Sequence, residues 1–129
     1  EYKIIKEGAV FEEEYIERVR LGFNQVITNG LGYGYMGNYY NSSGKTGTSQ
    51  NNSDGWFVGC TPSLVSGVWV GGEDRAIHFD KMSLGQGANT SLPIWALYMK
   101  KVYADKELGY SESEEFNIPE SFDPGAGCQ

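Results

Sequence analysis

Apolar side chains recur at helical spacing near the start of the chain. They occupy one face of a helix, at Phe11, Tyr15, Ile16, Val19, Phe23, Val26 and Ile27. Glutamates 12–14 stand in the first turn, where negative charge interacts favourably with the helix dipole. Asn29 and Gly30 follow as a typical helix end. The pattern therefore predicts a helix over residues 11–27 with one apolar face.

Three strand candidates come next in close order. They cover about residues 43–50, 55–61 and 64–71, with short turn-type links between them. Links of this length favour an antiparallel meander. The third run is apolar on both sides of its alternation, which predicts a strand covered on both faces. Trp56 and Trp69 fall on these strands, where packing in the core is favoured over a sugar-stacking role.

A second helix is predicted from Leu92 to about Ala104. Ser91 is its expected N-cap, and Pro93 suits the first helical turn. Its apolar face would consist of Leu92, Trp95, Tyr98, Met99, Val102 and Tyr103. This helix is long enough to lie across the sheet. The predicted fold class is therefore α/β, with an antiparallel sheet of at least three strands flanked by helices.

The remaining segments show no sustained period. Residues 30–44 are rich in glycine, tyrosine and asparagine, which predicts a loop or a loose hairpin. A short extra strand is expected near residues 2–6. Residues 109–129 are acidic and contain proline, as is typical of a tail. The sequence thus predicts one domain over residues 1–108, followed by this tail.

Composition and charge argue against several classes of function. The formal net charge is −7 and the acidic residues cluster near both ends, so no basic face for nucleic acid is expected. No apolar run approaches the ~20 residues that cross a bilayer. Cys60 and Cys128 form no metal-binding motif, and a disulfide between them remains open. His78, the only histidine, is expected in a surface or packed loop rather than at a metal.

The most informative stretch is Ser43-Gly44-Lys45-Thr46-Gly47-Thr48-Ser49. A phosphate-binding P-loop would need a glycine where Tyr39 stands, and a helix after the motif. The literal GxGxxG at residues 32–37 follows a predicted helix and precedes a strand, so it lacks the context of a dinucleotide site. The Lys-Thr-Gly element of serine transpeptidases and β-lactamases, which works from an edge strand, fits better.

On an edge strand this motif has the chemistry of a carboxylate site. The Lys45 ammonium supplies a positive charge, and the Thr46 and Thr48 hydroxyls point to one side of the strand. Gly47, which lies between them, lets a ligand approach the backbone closely. Together these four residues predict an edge that binds a carboxylate.

Flanking motifs extend the likeness over much of the chain. Gly44 to Ser49, Ser53 to Gly59, Thr61-Pro62, Val68 to Gly71 and Pro93-Ile94-Trp95 resemble, in order and spacing, the C-terminal third of penicillin-binding-protein transpeptidase domains. Residues 51–103 are most similar to bifunctional class A members, whereas residues 11–48 look more like monofunctional class B enzymes. Either an unusual family member or a joined sequence fits this mixture. Residues 1–108 would then be the C-terminal portion of a serine transpeptidase/β-lactamase-like fold.

The resemblance implies a role for each residue of the motif. Lys45 would belong to the proton-relay and substrate-orienting cluster, and the Thr48 N–H would form half of an oxyanion hole. Thr46, Gly47 and Thr48 would bind the terminal carboxylate of a D-Ala-D-Ala stem peptide or a β-lactam. No metal or organic cofactor is implied. The parent protein would build peptidoglycan at the periplasmic or extracytoplasmic face of the bacterial cytoplasmic membrane, anchored by a segment absent from this chain.

A departure from the family limits what this chain is expected to do alone. In the family, the Ser-x-x-Lys and Ser-x-Asn motifs lie upstream of the first helix seen here, and this chain is expected to lack both. It is therefore predicted to be an inactive C-terminal fragment of a D,D-transpeptidase. It would pair with the upstream part of the same protein or associate with itself to cover apolar surface. The alternative is a non-enzymatic module in which Lys45 and Thr48 bind a peptide carboxylate.

Overall fold

The computed structural model describes residues 11–30, 32–36 and 41–123. Its helices are α1 (Glu13–Thr28), α2 (Tyr33–Met36), α3 (Met82–Gly85) and α4 (Ser91–Ala104), and its strands are β1 (Ser43–Thr48), β2 (Asp54–Cys60) and β3 (Val65–Gly71). The two long helices and the three strands match the predicted ones, and α2 and α3 are additional single turns. The strand expected near residues 2–6 lies outside the described residues.

The sheet is an antiparallel meander in the order β1-β2-β3, as predicted. Thr46 of β1 faces Phe57 of β2, which in turn faces Val68 of β3. The neighbouring pair across the strands is Gly47 and Trp56. The Trp56 side chain points to the opposite side of the sheet, because side chains alternate along a strand. The side that carries Phe57 is the helix-covered face, and the side that carries Trp56 is the open face.

Helix α4 packs on the helix-covered face and forms the core there. Trp95 is fully buried, and its ring centroid lies 4.9 Å from that of Phe57. Its indole Nε1 donates to Ser66 Oγ at 2.8 Å, which satisfies the polar atom of a buried tryptophan. Leu92 and Met99, one helical turn to either side, are also fully buried. Apolar contact thus holds α4 on β2 and β3.

A glycine lets the indole of Trp95 lie directly on the backbone of β2. A Cβ at Gly59 would overlap the Trp95 ring. Gly67 of β3 is different, since a Cβ there would lie 3.5 Å from Val58 Cγ2, in ordinary contact. The two glycines are therefore unequal, because only Gly59 is needed for close packing of the core.

The open face is left exposed over β2 and β3, which corrects two expectations. β3 is not covered on both faces, since Val65 is 72% exposed. Trp56 and Trp69, expected in the core, are 47% and 46% exposed, and their ring centroids lie 6.3 Å apart on this face. The reason is that α4 packs on the other side of the sheet.

Two details of α4 differ from the prediction. Its N-cap is Thr90, and Ser91 is already the first helical residue. Tyr98, expected on the apolar face, is 45% exposed, whereas Ala96 is buried. The buried stripe that begins at Leu92 follows i, i+3, i+4, i+7 spacing, and Tyr98 falls outside it.

Helix α1 turns most of its apolar face to solvent. The exposed residues form the α1 stripe, which consists of Phe11, just before the helix, and Tyr15, Ile16, Val19 and Phe23 on it. Of the predicted apolar face, Ile27 is the residue that reaches the core cluster. The periodicity therefore predicts the helix correctly, but the stripe itself is not covered by the described residues.

Polar contacts attach α1 to the start of β1. Asn24 Nδ2 donates to the backbone oxygen of Ser42 at 2.7 Å, and Ser43 Oγ donates to the backbone oxygen of Arg20 at 3.0 Å. Glu17 is 5% exposed and forms an ion pair with Arg20 one turn away. These contacts place the charged side of α1, rather than its stripe, against the protein.

Residues 109–123 contain no helix or strand, yet they contact α1. The Arg20 guanidinium lies 4.2 Å from the centroid of the Phe116 ring, and that of Arg18 lies 5.4 Å from the centroid of Phe122. Cation–π contacts are worth about 0.5–2 kcal/mol each, and more where the cation is shielded from water. The described part of the predicted tail therefore lies along the charged side of α1.

Alanine at position 59 is expected to destabilise the protein, because the new Cβ would overlap the Trp95 indole. Overpacking of this kind costs about 1–3 kcal/mol. Gly67→Ala is the matched control, and its effect should stay below about 1 kcal/mol in either direction. Urea denaturation measures the free energy of unfolding of both variants. Equal losses would contradict the close packing of Trp95 on Gly59.

Candidate active-site edge on strand β1

Strand β1 is an edge strand, since among the described residues it pairs with β2 alone. Just after it, Ser49 donates its backbone N–H to the oxygen of Asp54 at 3.0 Å. Hydrogen-bonded pairs alternate with non-hydrogen-bonded pairs in an antiparallel ladder. Two residues before Ser49, Gly47 thus turns its backbone groups to β2. Thr46 and Thr48 turn theirs to the free edge, where a ligand can reach them.

Lys45 brings a positive charge to the same edge. Its side chain starts from the open face, opposite Val58 of β2, and is exposed to solvent. Its Nζ donates to the backbone oxygen of Thr46 at 2.9 Å. Because that oxygen belongs to the free edge, the ammonium group lies beside the outward amides of β1.

The two threonine hydroxyls belong to the helix-covered face, on one side of the strand as expected. Thr48 Oγ1 accepts a hydrogen bond from the backbone N–H of Gly87 at 3.1 Å. A hydroxyl accepts and donates at once, so the hydrogen of Thr48 stays available. The Lys45 side chain starts from the opposite face of the strand. The lysine ammonium and the two threonine hydroxyls therefore meet at the free edge of β1, and neither face of the sheet carries all three.

The Lys45-Thr46-Gly47 motif does not predict that Gly87, in the loop before α4, contacts Thr48. Its signal in the sequence is the run Gly85-Gln86-Gly87, since paired glycines suggest that a backbone approaches another closely. The partner of that approach lies 39 residues earlier in the chain. Local patterns do not specify such a partner.

Asp54 holds the turn that follows β1. Its Oδ1 accepts from Trp69 Nε1 at 3.0 Å, and its Oδ2 accepts from Ser49 Oγ at 2.8 Å. These hydrogen bonds, that of Trp69 above all, lower the pKa of Asp54 below its ordinary value of 3.8. The Asp54 carboxylate therefore links Ser49, just after β1, to Trp69 of β3. This link lies next to Thr48, the last residue of β1.

Two short spacings correct the expectation that the chain lacks the serine motifs of the family. Ser42 precedes Lys45 by three residues, and Ser49 precedes Asn51 by two. Ser42 is fully buried whereas Lys45 is exposed, and three residues of extended chain span ~10 Å. Ser49 Oγ donates to Asp54, and Asn51 lies exposed in the turn. Neither spacing has the arrangement of a serine activated by a lysine.

No group of three or more His, Cys, Asp or Glu side chains that could hold a metal ion occurs within residues 11–30, 32–36 and 41–123. His78 is exposed. Burial raises the pKa of the half-buried Cys60 thiol, and burial also raises the pKa of Tyr103. Cys128 lies outside the described residues, so its possible disulfide stays a hypothesis. No helix of this part is long and apolar enough to cross a bilayer.

The fold matches part of a solved penicillin-binding protein. The crystal structure of penicillin-binding protein 1A from Haemophilus influenzae aligns with 92% of this chain at a TM-score of 0.70. The two share 24% sequence identity, and the alignment covers 18% of that protein. The likeness establishes the transpeptidase fold for this chain and confirms the predicted fold class.

Curated relatives extend the likeness to the sequence. Penicillin-binding protein 1A of Aquifex aeolicus is 48% identical over 80 residues, which cover 60% of this chain and 10% of the relative. That of Rickettsia typhi is 36% identical over 95 residues, which cover 74% of this chain and 11% of the relative. This chain is homologous to penicillin-binding protein 1A. No protein-family model matches it.

The homology concerns a small part of penicillin-binding protein 1A. The chain spans about a tenth of the length of the curated relatives it matches, in their C-terminal portion. The resemblance to penicillin-binding-protein transpeptidase domains is thereby confirmed. The closer likeness of residues 11–48 to class B enzymes stays a prediction.

The lowered pKa of Asp54 predicts a pH-dependent stability. Because folding lowers this pKa, the contribution is present above pH 3.8 and is lost as the pH falls through the folded-state pKa. Asp54→Asn should be less stable than the unsubstituted chain at neutral pH, and the two should converge in acid. Urea denaturation at a series of pH values measures the difference. A difference that stays constant into acid would contradict the hydrogen bonds assigned to Asp54.

Proposed function

We propose that this chain forms one wall of the active site of a peptidoglycan D,D-transpeptidase, and that the nucleophilic serine comes from outside this chain. The observation that carries the proposal is the free edge of β1. Two outward amides, a fixed threonine hydroxyl and a lysine ammonium converge there. Homology to penicillin-binding protein 1A supports the same function. The proposed ligands are stem peptides that end in D-Ala-D-Ala, and β-lactams.

An edge of this composition suits an extended peptide with a terminal carboxylate. A peptide laid beside β1 would bond the outward backbone groups of Thr46 and Thr48, as in other cases of strand addition. Its carboxylate would accept hydrogen bonds from the two hydroxyls, with the Lys45 ammonium nearby. Hydrogen bonds to an ionised group are roughly twice as strong as neutral ones. The carboxylate would therefore set the register of the bound peptide.

The Thr48 N–H has a second proposed role, as half of an oxyanion hole. The serine oxygen would attack the peptide carbonyl, and its proton would leave with the expelled D-alanine. An amine of a second stem peptide would then take the acyl group from the serine. One such donor is worth roughly 10²–10³ in rate. Lys45 would orient the peptide and take part in proton transfer, and no metal or organic cofactor is required.

The chain alone is proposed to be inactive. Ser42, the serine with a lysine three residues later, is fully buried and therefore closed to a substrate. The complete protein would act where peptidoglycan lies, at the periplasmic or extracytoplasmic face of the cytoplasmic membrane. A segment outside this chain would anchor it there.

The α1 stripe is a proposed contact surface of the chain. Contiguous exposed apolar patches mark interaction sites. The stripe includes Tyr15, which is 59% exposed, and Val19, which is 55% exposed. We propose that the upstream part of the same protein covers it, or that a second copy of the chain does so when that part is missing.

One contact favours a second function. Lys45 Nζ donates to the backbone of Thr46, within its own strand. A lysine engaged in this way serves the strand rather than a reaction. The edge would then be a non-enzymatic binding site for a peptide carboxylate, which would be bound and not cleaved.

A fluorescent penicillin distinguishes the two functions. The complete protein is expected to become covalently labelled, whereas the 129-residue chain alone is not, because Ser42, the serine that a lysine follows three residues later, is buried. Gel fluorescence after denaturation measures the label. Labelling of the chain alone that disappears in Ser42→Ala would contradict the external origin of the nucleophile. A complete protein that binds a D-Ala-D-Ala peptide without being labelled would support the binding module.

The same assay tests the proposed partner. Adding the separately expressed upstream part to this chain is expected to restore labelling. Val19→Asp should weaken the restoration, because it puts a charge in the α1 stripe. Ile94→Asp is the matched control, since Ile94 is 48% exposed but lies on α4. Equal effects of the two substitutions would argue against the stripe as the contact surface.

Lys45→Ala in the complete protein is expected to slow penicillin acylation by roughly 10²–10⁴, the range found for removal of a proton-transfer group. Lys101→Ala, an exposed lysine in the last turn of α4, is the control and should leave the rate unchanged. The time course of labelling gives both rates. An unaltered rate in Lys45→Ala would count against the transpeptidase function and favour a structural lysine.

A further inference from the structure

We propose that Gly87 is a positioning residue for Thr48, so that the loop before α4 sets the hydroxyl of the carboxylate-binding edge. The inference rests on the proposed function and adds to it a residue from a distant part of the chain. The contact is the hydrogen bond from the Gly87 N–H to Thr48 Oγ1.

This hydrogen bond leaves the Thr48 hydroxyl free to act as a donor. Thr48 Oγ1 already accepts a hydrogen from Gly87 at 3.1 Å. A threonine hydroxyl has one hydrogen to donate, and the Gly87 amide cannot receive it. The hydroxyl therefore keeps its donor for another acceptor. A carboxylate oxygen beside the free edge is an acceptor of the right chemistry.

Position 87 needs glycine for space and not for backbone conformation. A Cβ there would lie 2.6 Å from the backbone oxygen of Gly47 and would also overlap that of Trp56. Among the described glycines, the positive φ belongs to Gly109, so Gly87 is not in the left-handed region. Any side chain at position 87 would therefore push the loop away from β1 and lengthen the bond to Thr48.

The start of α4 holds the loop from its other side. The Leu92 N–H donates to the backbone oxygen of Gly87 at 2.9 Å. Ser91 Oγ, which is fully buried, donates to the backbone oxygen of Gly55 at 2.6 Å. Gly87 is thus held between the helix and the sheet, and its N–H is aimed at Thr48 before any ligand arrives. Such preorganisation is what a binding site requires.

Loss of this support should affect binding of the carboxylate more than the acylation step. A hydrogen bond to an ionised group corresponds to roughly a 10- to 100-fold change in affinity. In the complete protein, Gly87→Ala is therefore expected to lower the second-order rate of penicillin acylation by about that factor. The loss should appear in the apparent binding constant and leave the limiting acylation rate nearly unchanged. Penicillin methyl ester, which has no free carboxylate, should show little effect.

A double-mutant cycle with Thr48→Val tests the coupling. Thr48→Val removes the hydroxyl but keeps the shape of the side chain. If Gly87 acts through Thr48, Gly87→Ala should cost little in the Thr48→Val background, because coupled residues are not additive. Thr48→Ser keeps the acceptor oxygen, so there the loss should persist. Gly67→Ala is the matched control, since a Cβ at position 67 would make only ordinary contacts.

The outcomes separate this role from the proposed function. Equal losses from Gly87→Ala in the native and Thr48→Val backgrounds, or on the methyl ester, would overturn the positioning role alone. An unsubstituted complete protein that penicillin does not acylate would overturn the proposed function and this role with it. If Gly87→Ala does not fold, Ser91→Ala loosens the loop without adding atoms. Its loss should be smaller and should vanish in the Thr48→Val background, and an additive loss would again overturn the role.

Discussion

The contact between Trp95 and Phe57 supports most of this structure. It joins α4 to the middle strand of the sheet, and Gly59 makes it possible because a larger residue would occupy the place of the indole. Aromatic pairs at this distance contribute both buried area and favourable ring geometry. The hydrogen bond to Ser66 removes the cost of a buried indole N–H. The position of α4 follows from this group of residues.

The candidate edge depends on the same packing. The first turn of α4 holds Gly87 beside Thr48 through the Leu92 N–H and bonds the backbone of Gly55 through Ser91. A shift of the helix would therefore move the amide that orients the hydroxyl. A change that destabilises the core is therefore expected to alter the geometry of the edge as well, because the two are only a few residues apart along β1 and β2.

The two faces of the sheet differ in how far they are covered. The helix-covered face is closed by α4, whereas Trp56 and Trp69 remain half exposed on the open face. The α1 stripe adds a second exposed apolar surface. Such patches are unfavourable in water unless something covers them. The chain spans about a tenth of the length of its curated relatives, and the cover proposed for the stripe is the upstream part of the same protein.

The sequence by itself determined the two long helices, the three strands and the place of Lys45-Thr46-Gly47 on a strand, because hydrophobic period and turn residues are local properties. It did not determine which side of α1 would be buried, since a polar side can also dock through hydrogen bonds and an ion pair. Tertiary structure alone decided that Ser42 is closed off although Lys45 stands three residues later. It also joined Thr48 to Gly87 across 39 residues. That contact depends on how α4 packs on the sheet, which no local pattern encodes.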